Sequence, residues 1–143
     1  MSLVSRDDGG DADPIAILGA VESRSRKNLV ADIVGHPAGM PSEKELRHMN
    51  PSLAQSTVSE HLSVLEERGV VASASHPRSG HPPTAPKRFY YLTERAREVF
   101  DDNGLFEERA YREVYAQVEK PEDIAEAESY PRPAVDAATV DLD

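Results

Sequence analysis

The chain has 143 residues, 38% hydrophobic and 29% charged, with a net charge of −10 and no cysteine. That is enough for one domain with a real core. It excludes disulfides, thiolate chemistry and cysteine-based zinc, and no apolar run reaches the roughly 18 to 20 residues of a membrane span. The acidic, glycine-bearing start "MSLVSRDDGGDAD" is not expected to be a signal peptide, so a cytoplasmic location is expected. The charge is unevenly spread. Between Pro14 and Thr93 nine Lys/Arg outnumber seven Asp/Glu, a net of +2, and the flanks carry the remaining −12. Base in the middle and acid at the ends leave a nucleic-acid partner open despite the overall sign.

Residues 1–12 form an acidic N-terminus expected to be disordered. Asp13 then stands as a helix cap with Pro14 at the first helical position, and Ile15, Ile17 and Leu18 supply an apolar face. The spacing of Leu29, Val30, Ile33 and Val34 predicts a second helix over about 23–34. "GHPAGMP" ends it. "SEKEL" is a capping box, with Ser42 as cap and Glu45 reaching back, and it opens a third helix over 43–49. "NPS" is a tight turn. A fourth helix follows from about 53 or 55 to 68, with Val58, Leu62 and Leu65 as its buried stripe and Gly69 just past its end.

"VVASA" and "RFYYLT" read as two strands of a hairpin with a long tip, "SHPRSGHPPTAPK"; from Ser75 to Arg88 the chain carries Arg78, Lys87 and Arg88 and no acid. Thr93 caps the next helix, "ERAREVF". A last helix over about 106–118 sets Phe106, Ala110, Val114 and Val118 on one stripe, with Tyr111 and Tyr115 beside it. From Pro121 the chain holds seven acids against one arginine and reads as a mostly disordered acidic tail, 121–143.

The fold class expected is therefore mainly α with a small β-hairpin: a winged helix-turn-helix over 13–93 and extra C-terminal helices over 94–120. This order explains an odd feature of the fourth helix. Its first half, "PSLAQSTVSEHL", carries Ser52, Gln55, Ser56, Thr57, Ser59 and Glu60, and the hydroxyl residues among them are poor helix formers. A helix lying in a DNA major groove must bring its backbone near base edges, and short side chains permit that approach. Gln can pair with adenine, Ser and Thr with base or phosphate, and Glu with cytosine N4. Gln55, Ser56, Thr57, Ser59, Glu60 and Ser63 are the candidate base-reading residues. A helix start rich in Ser and Thr is often no more than a cap, so the signal lies in the combination of helix, basic loop and hairpin.

"LAQSTVSEHLSVLEERGVV" resembles the recognition-helix signature of ArsR-like and MarR-like winged-helix regulators. "KRFYYLTERAREVFDDNGLF" resembles the wing and following helices of regulators common in halophilic archaea, including phage phiH repressor-like proteins. The likeness covers about residues 13–120. It implies base reading by Gln55, Ser56, Thr57, Ser59 and Glu60, and phosphate or minor-groove contact by Arg78, Lys87 and Arg88 on the wing. One departure matters. Metal-sensing ArsR proteins use cysteines on this helix, and this chain has none.

His36, His48, His61, His76 and His81 fit no common ligand spacing, so no metal and no cofactor is expected. No phosphate loop, nucleophile elbow or carboxylate pair stands out, and no enzyme is expected. Phe106, Ala110, Tyr111, Val114, Tyr115 and Val118 give the last helix more apolar width than a monomer's surface needs, which favours a homodimer over simple back-packing. The expected function is a dimeric regulator, more a repressor, reading a short inverted repeat in double-stranded DNA, with no membrane partner. The rivals are a winged-helix protein-interaction module and a small-molecule sensor. The second would require a cavity near the last helices.

Overall fold

The computed structural model describes residues 13–76 and 85–133. The predicted disordered start (1–12), Arg78 and His81 of the hairpin tip, and the end of the acidic tail lie outside these residues. The first helix, α1 (Pro14–Ala20), begins as expected: the Asp13 carboxylate accepts from the Ile15 amide and Pro14 follows directly. Ile17 is buried, but Ile15 is 77% exposed and does not join the core. A seven-residue helix turns one narrow face inward, and Ile17 and Ala20 take it.

Ser23 caps α2 (Arg24–Gly35), which buries Leu29, Val30, Ile33 and Val34. Both halves of the Ser42–Glu45 capping box form at the start of α3 (Glu43–Met49). After the turn, α4 (Gln55–Glu67) buries Val58, Leu62 and Leu65 against α2, α3 and the hairpin. Gly69 then reverses the chain at φ 80°, a left-handed conformation that a side chain would strain.

Strands β1 (Val71–Ser75) and β2 (Arg88–Leu92) pair antiparallel, from Val71 opposite Leu92 to Ser75 opposite Arg88. The segment before α3 adds to the sheet's other edge: Ser42 bridges Phe89, and the Tyr90 amide donates to the Pro41 carbonyl at 2.9 Å. The hairpin is thereby fixed to the base of α3. The Thr93 hydroxyl locks its exit by donating to the Gly69 carbonyl at 2.6 Å, while it accepts from the Ala96 amide to cap α5 (Glu94–Asp102).

The next helix is shorter than its sequence pattern. α6 runs Glu108–Ala116, and Phe106 sits before it at φ 54°, its ring edge-on to Phe100 and to Tyr111. The Glu107 side chain accepts from the Ala110 amide and caps the helix there, after the break at Gly104. α6 packs on α2 very closely: a Cβ on Gly35 would lie 2.7 Å from the Tyr111 carbonyl oxygen.

The tail also departs from expectation. Residues Glu122–Ser129 form a helix, α7, against α3, burying Ile124 and Ala127. Three of its acids, Glu122, Asp123 and Glu126, face solvent, which is why the composition resembled disorder; two apolar residues three apart anchor it.

Candidate nucleic-acid interface

The core stripe of α4 turns its other side outward. Gln55, Ser56, Glu60 and Ser63 are exposed, and Thr57 and Ser59 are half-buried. None of these six is fully buried. The N-cap residue is Ala54, whose side chain cannot accept a hydrogen bond, and no side chain caps the helix. The first-turn amides are left open, which suits an oxygen of an anion.

Two of the polar groups are oriented by α3. The Ser59 hydroxyl donates to Glu43 at 3.2 Å, and Arg47 donates to the Gln55 amide oxygen at 3.4 Å. Arg47 also approaches Glu43 at 3.9 Å. Arg47 was not singled out from the sequence, and it lies on the same surface as the helix start. Its signal was legible only as a basic residue in the last turn before the tight turn.

On the hairpin, Lys87 and Arg88 are exposed. The Arg88 guanidinium bonds to Ser73 at 3.1 Å, reaches Glu66 of α4 at 3.4 Å and lies 5.6 Å from the Tyr90 ring centre. This aligns the strand base with α4. Being solvent-exposed, the ion pair contributes little energy; it leaves the cation near the outward face of α4.

These features describe a three-helix core, a tight α3–α4 turn and a hairpin fixed beside the outward helix. No protein-family model matches the chain, and no curated protein matches it. Among solved structures the chain is similar to a protein with a GntR superfamily winged-helix-turn-helix domain from the halophilic archaeon Halomicrobium mukohataei. The TM-score is 0.76 at 26% identity, covering 92% of this chain and 93% of that one.

The fold is a winged helix-turn-helix. The likeness supports that level and a haloarchaeal neighbour, but that neighbour belongs to the GntR superfamily. It lends no support to the ArsR-like, MarR-like or phage phiH details of the resemblance above.

Behind the winged helix-turn-helix lies a buried polar cluster that sequence reasoning missed. Glu45, 1% exposed, accepts from the Ser42 amide and hydroxyl at 2.9 and 2.7 Å and meets His36 Nε2 at 2.7 Å. Backbone amides of Ala38 and Met40 point at His36 Nδ1, which fixes the proton on Nε2, the nitrogen facing Glu45. Arg132, from the predicted disordered tail, completes the cluster. Its guanidinium holds both Glu45 oxygens at 2.8 and 2.7 Å and the carbonyls of Met40, Ala127 and Tyr130, and lies 4.7 Å from the Phe89 ring centre. Burial pushes the Glu45 carboxyl up, but the His36 and Ser42 bonds outweigh it and hold the group below the usual carboxylate range. Burial pulls Arg132 down from its ordinary value, against the neighbouring carboxylates.

His36, Glu45 and Glu128 are close enough to share a metal ion, with ligand atoms within 4.8 Å of one another. The Arg132 cation already occupies Glu45, so a metal would have to displace it. His48 and His76 instead contact the backbone carbonyls of Glu119 and Pro131.

The residues predicted for a dimer face divide into two sets. Tyr115 is buried, and Phe106 and Tyr111 are half-buried against their own core. Ala110, Val114 and Val118 are open to solvent, Val114 at 66%. Between α6 and the α2–α3 pair lies a cleft of about 200 Å³ lined by Ala31, Asp32, Met49, Ala110, Tyr111, Val114 and Tyr115. Asp32 accepts from the Asn50 amide at 2.8 Å, and burial pushes its carboxyl up to about 7. Among the described residues, no helix is long and apolar enough to cross a membrane.

Proposed function

We propose that this protein is a sequence-specific DNA-binding transcription regulator, acting as a dimeric repressor on a short inverted repeat. The outward face of α4 enters the major groove, with Gln55, Ser56, Thr57, Ser59, Glu60 and Ser63 toward base edges and its uncapped first turn toward a phosphate. The wing, 75–88, lies on the backbone or minor groove through Arg78, Lys87 and Arg88, and Arg47 adds a backbone contact beside Gln55. The single observation that carries the reading is the exposed, uncapped start of α4 on a winged helix-turn-helix scaffold. Ala110, Val114 and Val118 supply the face for a second copy. A two-fold dimer then sets two reading helices roughly 34 Å apart, one turn of DNA.

The small number of cations suits a salty interior. Where the Debye length falls to about 3 Å, counterion release adds little, and affinity rests on hydrogen bonds to bases, shape and dimerisation. The test is fluorescence anisotropy on the DNA upstream of the protein's own gene. Gln55→Ala with Thr57→Ala removes the preference for that DNA over scrambled DNA, a loss of about 1–3 kcal/mol per good base contact. Arg78→Ala with Arg88→Ala weakens binding to both alike. Preference that survives the α4 substitutions refutes the assignment. A pull-down without nucleic acid tests the rival protein-interaction module.

A further inference from the structure

We propose that the cleft between α6 and the α2–α3 pair is a binding site for a small organic cation with an apolar body, an arylalkylamine in chemical class, whose ammonium group pairs with Asp32. The walls are Ala31, Met49, Tyr111, Val114 and Tyr115, and among the described residues no lysine or arginine lines the space and Asp32 is its one charged group. Its one side-chain hydrogen bond among the described residues comes from Asn50. A carboxylate held in such surroundings lacks a counter-charge, and a cation is the occupant that supplies one. Size agrees: an apolar cavity of about 150 Å³ takes benzene, so the present space of about 200 Å³ takes a ring with a short amine arm.

The site also has a structural outlet. Asn50 bridges Asp32 to the α3–α4 turn, donating to the Leu46 carbonyl at 2.8 Å, while its own carbonyl accepts from the Leu53 amide at 3.0 Å. A ligand that takes over Asp32 thus pulls on the turn that sets α4. That consequence for DNA rests on the function proposed above; the binding itself does not.

The experiment uses the full chain at pH 8 without DNA. Three probes of one shape are titrated while the Met49 methyl is followed by NMR: 2-phenylethylamine, 2-phenylethanol and phenylacetate. The amine should bind at least about tenfold more tightly than the alcohol, and phenylacetate should not bind, as expected for one ion pair in a poorly solvated site. Asp32→Asn, which keeps the Asn50 contact and the side-chain shape, should bring amine and alcohol within about threefold of each other. Ala110→Leu, on an exposed wall, should weaken both by narrowing the mouth. Equal binding of amine and alcohol, or no binding of any probe, overturns the proposal. So does a methyl shift that follows protein concentration and ignores the amine: Ala110 and Val114 also lie on the face proposed above for a second copy, which then fills the cleft. Since no DNA enters the readout, failure of the DNA-binding reading leaves the result intact.

Discussion

Replacing Arg132 by alanine removes two bonds to Glu45 and three to backbone carbonyls in a single step. It leaves a carboxylate that is 1% exposed with only His36 and Ser42 as partners. Deleting one member of a buried ion pair costs about 3–5 kcal/mol. The low end applies, because Glu45 keeps three contacts and burial already disfavours the charged arginine. A loss of about 3 kcal/mol in a domain of this size lowers Tm by about 9 °C. Thermal unfolding followed by circular dichroism at pH 7 and fixed salt measures it. Arg132→Lys should recover about half of the loss, since an ammonium can meet Glu45 but cannot reach the carboxylate and three carbonyls from one planar fork. The two variants should also speed hydrogen exchange in α7. A Tm within about 2 °C of the parent, or lysine and alanine behaving alike, refutes the view that this buried pair pins the C-terminal segment.

Asp32 gives a pH signature of the opposite sign to an ordinary acid. Its carboxyl titrates near 7 when folded against 3.8 when unfolded. Between those values the folded state keeps a proton the unfolded state has lost, so stability falls as pH rises from about 4 to 7 and levels off above. Asp32→Asn should flatten that window in urea titrations; an unchanged slope would place Asp32 in contact with bulk water. Gly35→Ala forces a methyl to within 2.7 Å of the Tyr111 carbonyl and should cost about 1–3 kcal/mol by pushing α6 off α2. A neutral result would mean that the helices separate freely. Val114→Asp, at an exposed site, should leave the unfolding free energy within about 0.5 kcal/mol of the parent yet convert a dimer to a monomer by light scattering; a dimer that persists would move the interface elsewhere.

Much of the fold lies in local chemistry, and local chemistry is legible in sequence. Asp13–Pro14, Ser23, the Ser42–Glu45 box and Thr93 set helix starts through bonds spanning two or three residues. The Val58, Leu62 and Leu65 stripe fixes which side of α4 is buried, and so which polar residues face out. The order of helices and hairpin strands then suffices for the architecture. Where the reading failed, the deciding contact was distant in sequence. Ile15 belongs to an apolar pattern, but the core had room for Ile17 alone on that turn. The apolar width of 106–118 was real, yet whether Tyr111 and Tyr115 face a partner or their own α2 depends on how close Gly35 lets α6 come. The tail's acids concealed a helix, because its anchor, Arg132, finds Glu45 87 residues away. The sequence by itself determined the helix starts, the hairpin and the polar face of α4, since each follows from bonds and periodicities within a few residues. Only the tertiary structure decided the Arg132 cluster, the Asp32 cleft and the open α6 edge, because burial of a charge is set by which surfaces meet, and no short stretch of chain contains that information.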